Sequence, residues 1–150
     1  MVRRPSIGIF VRLPARVQLL AVEAAWQLAR ARIRTMQSPL KYMPFLGQEG
    51  TATGTLSPQE QHRAAEIGAV VERVSRVMPF RALCLQQAMA TQGMLRRRGL
   101  KATVYLGLAT DPEKRGKGSV DPAHAWVKAG DVVVNGQQNL GEYTVLGRFT

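Results

Sequence analysis

The chain has 150 residues, 45% hydrophobic and 21% charged, which suits one packed domain or a domain with a helical arm. Twenty-one Lys and Arg face ten Asp and Glu, a formal charge of +11. One cysteine, Cys84, excludes an internal disulfide and a CxxC redox pair, and with two histidines, His62 and His124, it argues against a structural zinc site.

No apolar run approaches the roughly 20 residues of a spanning helix, and Pro5, Arg12 and Arg16 interrupt any signal-peptide core. A reducing, cytoplasmic setting is the expectation, with neither metal nor cofactor. Residues 1–34 hold seven Arg against one acid, Glu23. Such a stretch is a solvated face, or it meets anionic lipid headgroups or an acidic partner. Only nine aromatics occur, without basic–aromatic interleaving, so nucleic acid is not an expected partner.

In chain order, residues 14–37 read as a basic amphipathic helix. Pro14 suits its first turn, and Val17, Leu20, Ala21, Ala24, Leu28 and Ala31 form one apolar stripe, best placed against the rest of the chain. Residues 38–56 carry two Pro and three Gly and read as a linker. Ser57, Pro58 and Glu60 spell a capping box, and the helix they open runs to Val77 before Pro79. His62 falls on its polar first turn. A further helix opens near Cys84 and runs through Arg98, with Arg96, Arg97 and Arg98 at the negative end of its dipole and Gly99 as the stop.

The period then changes to that of strands: 102–109, 123–128 and 131–135, with a Gly/Pro-rich loop at 110–122 and a tail, 140–149, that is a strand or a packed segment. Ala129 and Gly130 are expected to form the turn of the hairpin. The division is an N-terminal helix and linker over 1–56 and a catalytic domain over 57–150, in an α+β fold of helices packed on a small antiparallel sheet.

A cysteine at a helix start followed by a histidine on a hairpin suits thiol catalysis. The positive end of the helix dipole, with Arg81 nearby, is expected to lower the Cys84 pKa and favour the thiolate. His124 is the candidate base and later the acid. A two-residue turn at Ala129–Gly130 sets His124 opposite Asn135, whose amide oxygen would then hold the imidazole, as in Cys-His-Asn proteases. A one-residue change of register points Asn135 away.

Five segments together carry a family resemblance: Cys84-Leu85; Met94-Leu95-Arg96-Arg97-Arg98-Gly99-Leu100; Ala102 to Gly107; Ala123-His124-Ala125-Trp126-Val127; and Val132-Val133-Val134-Asn135 with Tyr143. The chain resembles the transglutaminase-like, papain-like peptidase domain of lasso-peptide biosynthesis B proteins, most closely over residues 79–146. The resemblance implies a cysteine protease that removes the leader peptide from a ribosomally made precursor, beside an ATP-dependent macrolactam cyclase. It implies Cys84 as nucleophile and His124 as base. The family's third member is an Asp that falls near Gly136, so Asn135, Asp131 or Asp121 is left to take its place. The Cys84 N–H, with a neighbouring N–H, Gln86 or Gln87, is the candidate oxyanion donor. Residues 1–56 leave no room for a fused recognition domain, so a separate leader-recognition protein is the expected partner. The basic helix and the 110–122 loop are its candidate docking surfaces, with peripheral contact at the inner membrane face as an option. Acyl transfer to an amine and a noncatalytic basic scaffold for peptide, lipid or RNA are the alternatives.

Overall fold

The computed structural model describes residues 11–51, 54–115, 117–118 and 121–150. Arg3, Arg4 and Pro5, and positions 116, 119 and 120 of the 110–122 loop, lie outside them. Among the described residues four helices come first: α1 (Ala15–Thr35), a single turn α2 (Pro39–Tyr42), α3 (Pro58–Ser75) and α4 (Cys84–Arg96). Four strands follow: β1 (Thr103–Ala109), β2 (Ala123–Ala129), β3 (Val132–Asn135) and β4 (Tyr143–Phe149). The sheet is antiparallel in the order β3-β2-β1-β4, so the tail forms the edge opposite the hairpin.

One face of the sheet carries α3 over β3 and α4 over β2, and α1 lies across α3 and α4 as an outer layer. Leu20, Ala24, Leu28 and Ala31 of α1 join Ile67, Val71, Met94, Leu95, Val104 and Val127 in one core. The expected stripe of α1 therefore docks on the body; the Ala-rich face allows close approach. The capping box opens α3 as expected: Glu60 N–H donates to Ser57 Oγ (3.2 Å), and Ser57 N–H donates to the Glu60 carboxylate (2.7 Å).

Residues 38–56 are not simply a linker. A 3-10 turn at Met43–Leu46 seals the core with Leu46, which is fully buried. The arginine triplet holds this segment and α1 in place. Arg96 donates to the carbonyls of Phe45 (3.1 Å) and Leu46 (2.7 Å), and Arg98 makes a two-pronged pair with Glu23 (3.1 and 2.7 Å). Arg97 stands 3.4 Å from the same carboxylate. The three cations thus do more than complement the dipole.

The hairpin register differs from expectation. Ala129 pairs with Val132 and Lys128 with Val133, so the turn is Gly130–Asp131 rather than Ala129–Gly130. A bulge on β3 then sets Asn135 opposite Val127. Val127 points into the helix-side core, whereas His124, an odd number of residues away, points to the other face.

Candidate active site

Leu83 is the N-cap of α4, and its N–H donates to Gln86 Oε1 at 3.0 Å, closing the first turn in the manner of a capping box. Gln86 Nε2 donates to Thr35 Oγ1 at the end of α1 (2.9 Å), and Gln87 Nε2 to the Ala82 carbonyl (3.1 Å). Both glutamine amides named as oxyanion donors are therefore engaged in fixing the helix start. What remains there for a developing oxyanion is main-chain N–H, above all that of Cys84.

Cys84 is the first residue of α4 and is partly buried. The Ala125 N–H of β2 lies near enough to the sulfur to favour its charged form, which brings the thiol close to the strand position adjacent to His124. The expected lowering of its pKa does not hold. Burial pushes the thiol up, the nearby Asp121 carboxylate pushes it further, and the main-chain N–H groups of Ala125, Leu85 and Cys84 oppose this without overcoming it. Arg81 is exposed and plays no part in this balance. The packing thus disfavours the thiolate, and attack by this sulfur calls for a base nearby.

His124 lies on the sheet face away from the helices, in a second, smaller apolar cluster. Its ring is 4.9 Å from that of Tyr143 and 5.9 Å from that of Trp126, and Trp126 in turn stacks on Tyr105 at 5.5 Å. The Tyr143 hydroxyl accepts from Asp121 N–H at 3.1 Å. Burial raises the tyrosine's pKa, and the Asp121 and Cys84 charges raise it further. His124, Tyr143 and Asp121 therefore form one cluster, and Cys84 lies close enough for its charge to be felt by Tyr143 and to feel that of Asp121. Asp121 was one of the candidates for the third place, and Tyr143 belonged to the segments that carry the resemblance.

His124 Nε2 lies 2.7 Å from the main-chain oxygen of Gly136. A carbonyl only accepts, so Nε2 carries the proton and the Nδ1 lone pair is left for the thiol. Gly136 can take this place for two reasons. Its φ is +76°, and a Cβ on it would come within 2.6 Å of the Ala125 oxygen and 3.0 Å of Trp126 Cα. The resemblance puts an Asp side chain near this position; here a main-chain oxygen occupies the same role geometrically.

Asn135 is the residue that the site does not gather. It is buried on the helix side, where its Nδ2 donates to the Gly68 oxygen at 3.5 Å and its Oδ1 has no protein partner. The bulge that shifts the register is the physical reason it misses His124. Asp131 is exposed in the turn at the far end of β2. His62 is exposed on α3. Among the described residues, no three His, Cys, Asp or Glu side chains converge to hold a metal. None of the helices among them is long and apolar enough to cross a membrane.

Neither a curated protein nor a solved structure matches the chain. A family model does, and it spans α1 to β4 with the cysteine at the helix start and the histidine on the hairpin inside it. Over residues 19–148 this chain belongs to the transglutaminase-like superfamily.

Proposed function

We propose that the protein is a cysteine endopeptidase that releases the leader peptide from a lasso-peptide precursor. The observation that carries the reading is the Cys84 thiol at the start of α4 beside the Ala125 N–H, one residue from a His124 whose Nε2 lies 2.7 Å from the Gly136 oxygen. The resemblance to lasso-peptide B proteins supplies the substrate class.

In this reading His124 Nδ1 takes the thiol proton as the sulfur attacks the scissile carbonyl. Generation of the thiolate is coupled to attack, because burial and Asp121 disfavour a free thiolate at rest. The main-chain N–H at the start of α4 receives the developing oxyanion. As the carbon–nitrogen bond breaks, the imidazolium gives its proton to the leaving amine, which becomes the new N-terminus of the core peptide. Water, deprotonated by the same ring, then hydrolyses the thioester and restores the thiol. The Gly136 oxygen orients the ring throughout. It carries no full charge, so it steadies the imidazolium less than a carboxylate does. A separate leader-recognition protein delivers the precursor, and an ATP-dependent cyclase consumes the core.

The test is mass spectrometry of a lasso precursor incubated with this chain and its recognition protein. Free leader and free core are expected, with no amine adduct. Cys84→Ala and His124→Ala are each expected to abolish release while leaving the circular-dichroism spectrum unchanged. Retained cleavage in either variant refutes the site, and an amine adduct as the main product replaces hydrolysis by acyl transfer.

A further inference from the structure

α1 has two apolar faces, and the docked one accounts for only one of them. Leu19, Val22, Trp26, Ile33 and Met36 form a second stripe on the outward side, each more than 60% exposed. At 1.5 Å per residue this ridge is about 25 Å long. Single exposed apolar residues need no explanation; five aligned along one helix do. Arginines border it on both shoulders. At 100° per residue, Arg30 and Arg34 fall on one side and Arg32 on the other.

Beside the first shoulder lies a hollow of about 370 Å³ between α1, the Met43–Leu46 turn and α4, lined by Arg30, Arg34, Arg96, Arg97 and Phe45. No acid lines it. The one carboxylate of α1, Glu23, is engaged by Arg98 and Arg97. Arg34 lies 3.7 Å above the Phe45 ring, and burial together with the Arg30 charge lowers its pKa. Among the described residues, Arg97 alone of these cations reaches a carboxylate, while Arg30, Arg34 and Arg96 are crowded here without one, next to exposed apolar surface.

We propose that the outward face of α1 rests on an anionic lipid surface, with the Leu19–Met36 ridge in the acyl boundary and lipid phosphates in the arginine-lined hollow. The charge pattern selects this occupant. A protein would have to offer a groove shaped to a convex ridge and an acidic rim in register with it. A bilayer supplies hydrocarbon below and phosphate at the rim without a matching shape. The formal charge of +11 adds long-range attraction to the same surface. This inference stands apart from the peptidase reading, since neither Cys84 nor His124 takes part.

The experiment mixes the full chain with vesicles of phosphatidylcholine alone, or of phosphatidylcholine and phosphatidylglycerol in equal parts, at low and high salt. Co-sedimentation with the anionic vesicles is expected, with loss at high salt and little binding to the neutral ones. Trp26 emission is expected to shift to shorter wavelength and to be quenched by brominated acyl chains; Trp126, 5% exposed, supplies a constant background. This readout needs no variant, so it survives any folding defect. Replacing Arg30 and Arg34 together by Gln is expected to weaken partitioning about thirty-fold. Trp26→Ser with Ile33→Ser is expected to weaken it by more than about tenfold. Equal binding to neutral vesicles, an unquenched Trp26 on pelleted protein, or a lipid-independent dimer abolished by Trp26→Ser each overturns the proposal, the last by assigning the ridge to a second copy.

Discussion

Replacing Gly136 by Ala tests the part of the site that no side chain supplies. The added methyl meets the Ala125 oxygen at 2.6 Å and Trp126 Cα at 3.0 Å, both on β2 and both backbone, so neither can swing aside. A left-handed φ costs an L-residue roughly 1–2 kcal/mol, and overpacking against fixed atoms adds about 1–3 kcal/mol. Gly99 gives the control. Its φ is +67°, and a Cβ there meets nothing within 4 Å, so Gly99→Ala isolates the backbone penalty alone. The difference between the two variants, about 1–3 kcal/mol, belongs to the contact with β2. For a domain of this size it appears as about 2–4 °C in Tm per kcal/mol. Relief of the clash moves the 136 carbonyl away from β2 and lengthens the 2.7 Å bond to His124. At a temperature where both variants are folded, kcat/KM for leader release is expected to fall at least about tenfold, and no further than the 10²–10⁴ that a positioned base contributes. The fall is expected in kcat, since the change acts on the orientation of the base His124. Activity and Tm in Gly136→Ala equal to those of Gly99→Ala would refute both the contact and the role given to the carbonyl.

Three further variants separate neighbouring claims. Asn135→Ala removes only a 3.5 Å bond and a buried oxygen without a partner, on the face away from His124, so peptidase activity is expected to stay within about twofold of the parent and unfolding to shift by about 1 kcal/mol or less. Asp121→Asn removes a charge that raises the Cys84 pKa. The pH midpoint of alkylation by iodoacetamide is expected to fall in the variant and still to exceed the roughly 8.5 of a free thiol, because burial is the larger cause. Glu23 titrates below its ordinary value, chiefly through its bond to Arg98, so its contribution is present above the unfolded carboxyl pKa and is lost as pH falls through the folded one. Glu23→Gln is expected to cost about 1 kcal/mol or less at neutral pH and to remove the corresponding part of the acid limb in denaturant titrations, the Arg98 side chain of the pair being 34% exposed and its charge screened by water and salt.

What the sequence made legible follows from side chains that act locally. Ser57 and Glu60 close a capping box within four residues, so its presence can be read without any tertiary information. Cys84 at a helix start and His124 on a hairpin arm are likewise set by local period. The register of β3 was not legible. Val132, Val133 and Val134 are all apolar, so no alternation marks which face each takes, and the bulge that moves Asn135 onto Val127 leaves no trace in residue type. Leu46 was hidden for a similar reason: one buried anchor in a segment of Pro and Gly has no period.

The thiol's ionisation was misjudged because the dipole of α4 is a property of the helix, whereas burial beside β2 and the approach of Asp121 are properties of the fold, and the latter prevail. The orienting group on His124 lies further out of reach, since main-chain oxygens are the same in every sequence. Its one signature is negative. Where the resemblance asks for a carboxylate, the chain has the residue without a Cβ, and the close approach of 136 to Ala125 and Trp126 tolerates no other. A neutral carbonyl fixes the tautomer of His124 as a carboxylate would, but it leaves the imidazolium less compensated. The demand on the remaining dipoles, the N–H groups at the start of α4, is correspondingly larger. That links the two halves of the site: burial raises the thiol's pKa, and the Cys84 and Leu85 N–H groups that oppose this rise are the same dipoles that would face the oxyanion in the proposed reaction.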